Sequence, residues 1–229
     1  MTSADPETWL EGHDSPLPGD FSEELIDAVE RAWVALGEAY DRERLEDSRI
    51  AGVLERLAAF QTFDERRGFS LLDAWKISGE GLDVVVCVAT RLVPEEEGID
   101  RTIVAHRECR LMGLFELGRD VGQAVIRPET FRDTVLDIIL RREVDFPESP
   151  DFCRRYYVLA SSARRLREGL PRELLDLLGS HADLFIEISG LDMTVFWDAV
   201  IDAESAVEAT GFFSRLSAII APQRWGPYR

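Results

Sequence analysis

The chain has 229 residues, 45% of them hydrophobic, enough for one substantial core or a core with a smaller helical attachment. Its formal charge is −18 with a pI near 4.6, a surface that repels phosphate backbones and anionic lipid headgroups, so nucleic acid is not expected as a partner. The first sixty residues hold 15 Asp or Glu against 5 Arg, so −10 of the total sits there.

Residues 1–20 form an acidic, Pro-rich lead-in without the basic and apolar regions of a signal peptide. Residues 21–62 are expected as a helical arm. Ile26, Val29, Trp33, Leu36 and Tyr40 recur at spacings of three and four over 21–46, and Ile50, Val53, Leu54, Leu57 and Phe60 repeat the pattern. The intervening "DRERLEDS" puts Glu43 and Asp47 where the stripe needs apolar residues. The arm is therefore one helix with a polar middle or, preferably, a hairpin of two helices turning near Asp47-Ser48. The Ile26–Tyr40 stripe either packs on its own domain or faces a partner or a second copy.

An α+β domain is expected over 63–221, with a largely antiparallel sheet and flanking helices. "GLDVVVCVATRLV" is apolar on both alternating faces, as in a central covered strand. Pro94 and Glu95-Glu96-Glu97 then suggest a loop. "RTIVAHREC" and "GQAVIRP" read as strands, and "PETFRDTVLDIILRR" as a helix through Phe131, Val135, Ile138 and Ile139. "DFCRRYYVLAS" reads as a strand, and "SARRLREGLPRELLDLLGSH" as short helices broken at Gly169 and Pro171. "DLFIEISGLDMTVFWDA" is a hairpin with Gly190 in its turn. Residues 203–220 close the domain as an amphipathic helix, and 222–229 form an extended tail in which Trp225 and Tyr228 are candidate partner anchors.

Roughly residues 70–220 resemble a poorly characterised bacterial family of β-rich domains that often follow hydrophobic membrane segments. The resemblance rests on "VIRPET" with Pro128, on Asp137-Ile138-Ile139, on "F…YYVLASSARRLREGL" from Phe152, and on "FIEISGLDMTVF". It implies a bacterial origin and a β-rich fold, and supplies no active-site residues. An acidic helical arm stands here where that family has membrane segments.

The chemistry-bearing residues give no catalytic constellation. Cys87, Cys109 and Cys153 are odd in number and irregularly spaced, as for reduced thiols in a cytoplasmic protein. Arg154 and Arg155 follow Cys153, but the phosphatase-type anion loop is missing, and a structural thiol is expected. His106 and Cys109 lie three apart, which on a strand points them to opposite faces and spoils a shared metal site. Glu143, Asp145, Glu148 and Asp151 read as a solvated loop, and Ser161 and Ser162 lack a nucleophile elbow. No cofactor, metal ligand or catalytic residue is assigned.

Arg154, Arg155, Arg164, Arg165, Arg167 and Arg172 crowd into nineteen residues. They either pair with Glu168, Glu173 and Asp176 across helix turns or form a docking patch for an anion or an acidic segment. The expected function is protein interaction or scaffolding with another protein or a second copy. The rival is a binder or enzyme whose site is assembled from scattered residues such as Arg155, His106 and Cys153. A third reading is a peripheral accessory of a membrane complex.

Overall fold

The computed structural model describes residues 23–63, 70–79, 82–97, 102–128, 142–182, 184–197 and 201–220. The elements run α1 (Glu23–Ala39), β1 (Asp41–Arg44), α2 (Asp47–Leu57), β2 (Ser70–Gly79), β3 (Leu82–Glu97), β4 (Thr102–Glu116), β5 (Gln123–Pro128), β6 (Arg142–Glu143), α3 (Pro150–Arg155), β7 (Tyr156–Ala160), α4 (Ala163–Gly169), α5 (Arg172–Gly179), β8 (Leu184–Ser189), β9 (Asp192–Trp197) and α6 (Ala203–Ile220). The expected α+β architecture is present. The nine strands form one sheet in the order β1-β2-β3-β4-β9-β8-β5-β7-β6, and every neighbouring pair is antiparallel.

Strand alternation divides the core in two. Val84, Val86 and Val88 of β3 join Leu111, Phe115, Val195 and Trp197 under α1 and α6. Val85, Cys87 and Ala89 point the other way, to Met112, Leu114 and Phe196 under Val53 and Leu57 of α2. A strand covered on both faces needs apolar side chains on both, which is why "VVVCVA" shows no polar alternation. α3 and α5 extend the first layer, burying Phe152, Leu174, Leu175 and Leu178.

The segment read as a helical arm departs from expectation. Residues 41–44 are neither helix nor hairpin turn but the edge strand β1, so α1 ends at Ala39 and α2 starts afresh at Asp47. The two helices lie on opposite faces of the sheet: Val29, Trp33 and Leu36 fall in one core cluster, and Val53 and Leu57 in the other. Glu43 and Asp47 interrupt the helical stripe because the chain crosses the sheet edge there.

Three further expectations are corrected or lie elsewhere. The "DFCRR" half of the expected strand is the short helix α3, opened by Pro150, and only Tyr156–Ala160 is strand. Pro94 and Glu95–Glu97 belong to β3, paired with residues 102–105 of β4. They lie past the last β2 partner, Ser70 opposite Thr90, so on the β2 side a missing N–H leaves no described partner unpaired. The helix expected over "PETFRDTVLDIILRR", the lead-in and the tail with Trp225 and Tyr228 lie outside the described residues, apart from Pro128 at the end of β5 and Arg142 at the start of β6.

The β8–β9 hairpin turns on Gly190 and Leu191, between the paired Ser189 and Asp192, with Gly190 at φ +65°. α6 opens on a reciprocal cap: the Ser205 N–H donates to Asp202 Oδ1 at 2.7 Å, and the Asp202 N–H donates to Ser205 Oγ at 3.0 Å. The Ser205 N–H, together with the Ser205 hydroxyl, holds the Asp202 carboxyl below its usual range. No helix among the described residues is long and apolar enough to cross a membrane.

Candidate functional site

The six arginines singled out by sequence lie on α3, α4 and α5 and are all exposed. Arg154 pairs with Asp151, Arg164 with Glu168 at 3.3 Å, Arg165 with Asp120 at 3.8 Å and Arg172 with Asp176 at 3.4 Å. Arg167 Nε donates to the Asp145 carbonyl at 3.0 Å. Most of the patch is thus engaged by nearby groups, chiefly through exposed pairs whose individual contribution is small.

Cys153 sits on α3, not on the strand expected for it. Its Sγ lies 3.2 Å from both the amide N and the carbonyl O of Phe146, which ties α3 to the preceding loop. Cys87 and Cys109 are buried in the sheet. Burial, reinforced by the charge of Asp73, pushes the Cys87 thiol far above its ordinary value, away from the thiolate that nucleophilic chemistry requires. Ser162 caps α4 by accepting from the Arg165 N–H, and Ser161 Oγ bonds Gln123 on both its N–H and its carbonyl. No group of three His, Cys, Asp or Glu among the described residues is placed to hold a metal ion.

The Ile26–Tyr40 stripe faces inward. Val29, Trp33 and Leu36 are buried, Ile26 is half-buried, and the Tyr40 hydroxyl donates to the Val207 carbonyl of α6 at 3.3 Å. The chain's own fold occupies the stripe that could have received a partner.

Three charged groups among the described residues are buried, Asp73, Arg127 and Glu187, and none was singled out in the sequence. Glu187, on the α2 side of β8, accepts from the Gln61 N–H at 2.6 Å, the Thr62 N–H at 3.0 Å and the Thr62 hydroxyl. It therefore fastens the short 3-10 turn after α2 to the sheet. Arg127 on β5 places its guanidinium 5.2 Å from the ring centre of Tyr157, its cross-strand neighbour. Each lies in an apolar run as an isolated polar residue, a signal for a buried, partnered charge.

The outward side of α2 is the least expected surface. A helix packed on a sheet normally turns charged residues to water. Here Ala51, Gly52 and Leu54 of α2, with Ala58 and Ala59 just past its end, are exposed, and the charges among them are Asp47, one turn before Ala51, and Glu55. Leu54, assigned by spacing to the buried stripe, is 47% exposed. A Cβ built on Gly52 would meet nothing within 4 Å, so no intramolecular packing explains a glycine that costs the helix about 1 kcal/mol relative to alanine. Beside this surface, Leu191 at the β8–β9 turn is 44% exposed. The turn is fixed to α2 by Arg56, whose Nε lies 2.8 Å from Asp192 Oδ1.

No protein-family model matches the chain, and neither a curated protein nor a solved structure matches it.

Proposed function

We propose that this protein is a non-enzymatic docking domain, in which a covered antiparallel sheet holds α2 outward for another protein chain. The carrying observation is the run of exposed small and apolar residues on and just after α2, Ala51, Gly52, Leu54, Ala58 and Ala59, in a protein whose residues are 31% charged. Exposed apolar groups gathered on one helix are suited to a protein contact, because their burial releases water. The contacts of Arg56 and Glu187 fix the helix against the sheet, so little ordering entropy is lost on docking.

The test places a photo-crosslinking side chain at Ala58 and, as control, at exposed Glu173 on α5, in the full chain in its native cells. A discrete adduct formed from position 58, absent from position 173 and lost on adding Leu54→Glu, is expected. Absence of any adduct specific to position 58 would remove the docking function.

A further inference from the structure

The surroundings of α2 define the chemistry of what docks there. Resting on the docking reading, we propose that the partner segment is a basic amphipathic helix of another protein. Among exposed residues from 41 to 59, the charged ones are Asp41, Glu43, Glu46, Asp47 and Glu55 against Arg49 alone, a net of −4. Arg49 itself lies 3.3 Å from Glu43.

The other three arginines of the segment are turned to internal duties. Arg42 covers the Trp75 ring at 4.8 Å and donates to the Trp33 carbonyl. Arg44 lies 3.3 Å from buried Asp73, and Arg56 is held by Asp192. The result is a helix face of Ala, Gly and Leu with carboxylates in it and around it, Asp47 and Glu55 on α2 and Asp41, Glu43 and Glu46 just before it.

The shape is equally specific. Residues 54 and 56 are two apart and so fall on opposite flanks of α2. Leu54 lies on one flank, and Leu191 lies beyond the other, next to the Asp192 that Arg56 grips. Between the flanks α2 presents Ala51, Gly52 and Glu55, and the turn that follows adds Ala58 and Ala59; the small residues let a second helix approach at the short end of the usual interaxial distances. A partner helix would seat leucine-sized anchors at i, i+3 or i+4 and i+7 across this arc and turn Lys or Arg toward the carboxylate rim. A second copy of this chain is a poor occupant, because it brings the same carboxylates to the same face and another −18 of net charge.

The test uses the full chain and three synthetic peptides about five helical turns long. One is a Leu/Ala/Lys amphipathic helix, one has the same apolar positions with Glu for Lys, and one is a scramble of the Lys peptide. The Lys peptide is expected to shift the amide resonances of residues 51–59 and 191–192, while the Glu peptide and the scramble leave them in place. Ala58→Glu should weaken that binding at least about tenfold with the melting temperature unchanged.

The sign of this last effect is decisive, since the variant adds negative charge. If attraction to an acidic surface were the whole cause, Ala58→Glu would bind the Lys peptide equally or more tightly, and the proposal would fail. Equal binding of the Glu peptide at 51–59, or a dimer dissolved by Ala58→Glu in native mass spectrometry, would overturn the partner class and leave the docking reading intact. If no peptide moves these resonances, the partner class also fails, and the crosslink from position 58 alone decides whether docking survives.

Discussion

Arg56 of α2 and Asp192 at the start of β9 meet with Nε 2.8 Å from Oδ1, and Arg56 Nη2 also donates to the Phe115 carbonyl at 3.3 Å. The two residues are 136 positions apart in the chain, so the pair is a tertiary link between the α2 layer and the sheet. Their side chains are only 20% and 24% exposed, which screens them less than a surface pair. Arg56→Ala should cost about 1–2 kcal/mol, and a double-mutant cycle with Asp192→Ala should give a coupling of about 1 kcal/mol. Urea unfolding of the four proteins measures both. A coupling indistinguishable from zero would mean that the pair contributes nothing to holding α2.

Glu187 should matter more, because its loss strands backbone donors. Glu187→Ala removes the acceptor for the Gln61 and Thr62 N–H groups in a place where Thr62 is itself buried. The expected cost is about 2–3 kcal/mol, the range for hydrogen bonds to a charged group plus an unsatisfied amide. Amide hydrogen exchange at residues 61 and 62 should accelerate well before that of β3 and β4. Unchanged exchange at those two amides would show that another group holds the turn.

Much of the sheet is legible in the sequence because its strands satisfy their own patterns. β3 is apolar on both faces, and β8 and β9 flank a glycine turn, so local signals and tertiary structure agree. The edge strand β1 is not legible, since "DRER" carries no apolar alternation. Its strand state comes from β2, where Asp73 receives Arg44 and Trp75 receives Arg42. α3 was hidden by its continuation into "YYVLA", although Pro150 before "DFCRR" was the available sign of a helix start. The candidate surface was half legible: the spacing located α2, but one apolar stripe absorbed Leu54, and only burial separates the residues facing the sheet from those facing water.

Gly113 of β4 lies under Phe213 of α6 and beside Phe115 of its own strand. A Cβ there would stand 2.6 and 2.7 Å from ring atoms of Phe115 and 3.1 Å from the ring of Phe213. Both rings are buried and lie edge to face with centres 5.9 Å apart, so neither is free to give way. Gly113→Ala should therefore destabilise by about 1–3 kcal/mol, although alanine is ordinarily tolerated in strands. Thermal unfolding measures the loss, and adding Phe115→Leu should recover part of it. A stability equal to the parent would show that α6 does not press on this position.

His181, after α5, packs its ring 4.3 Å from the ring centre of Phe212 and 5.7 Å from that of Trp197. Burial lowers its pKa, and Arg215 and Arg155 act the same way against the Leu177 carbonyl and Glu208. The folded state therefore binds this proton less readily than the unfolded chain, whose histidine titrates near pH 6.5. Above that value the group imposes no penalty. As pH falls below it, stability is lost until the folded-state pKa is passed. His181→Phe keeps the ring packing and removes the titration, so its melting temperature should fall less than that of the parent between neutral pH and about pH 5.5. Parallel profiles would show that His181 does not set the acid limit.

The outer edge of β1 is written against self-pairing. Arg42 and Arg44 share the face of Trp75 and Asp73, while Asp41 and Glu43 share the face of α2, where Glu43 meets Arg49. In an antiparallel pair, directly opposed residues lie on the same face. A second copy added to β1 around a two-fold axis normal to the sheet therefore sets acid against acid and arginine against arginine in every allowed register. Charged, short edge strands of this kind suppress edge-to-edge association. Asp41→Thr with Glu43→Val removes the acidic half while leaving Arg42 and Arg44 in place. That double variant should associate in a concentration-dependent way, seen by analytical ultracentrifugation, while the parent does not associate through this edge. If the double variant and the parent sediment alike at every concentration, something other than these charges guards the strand.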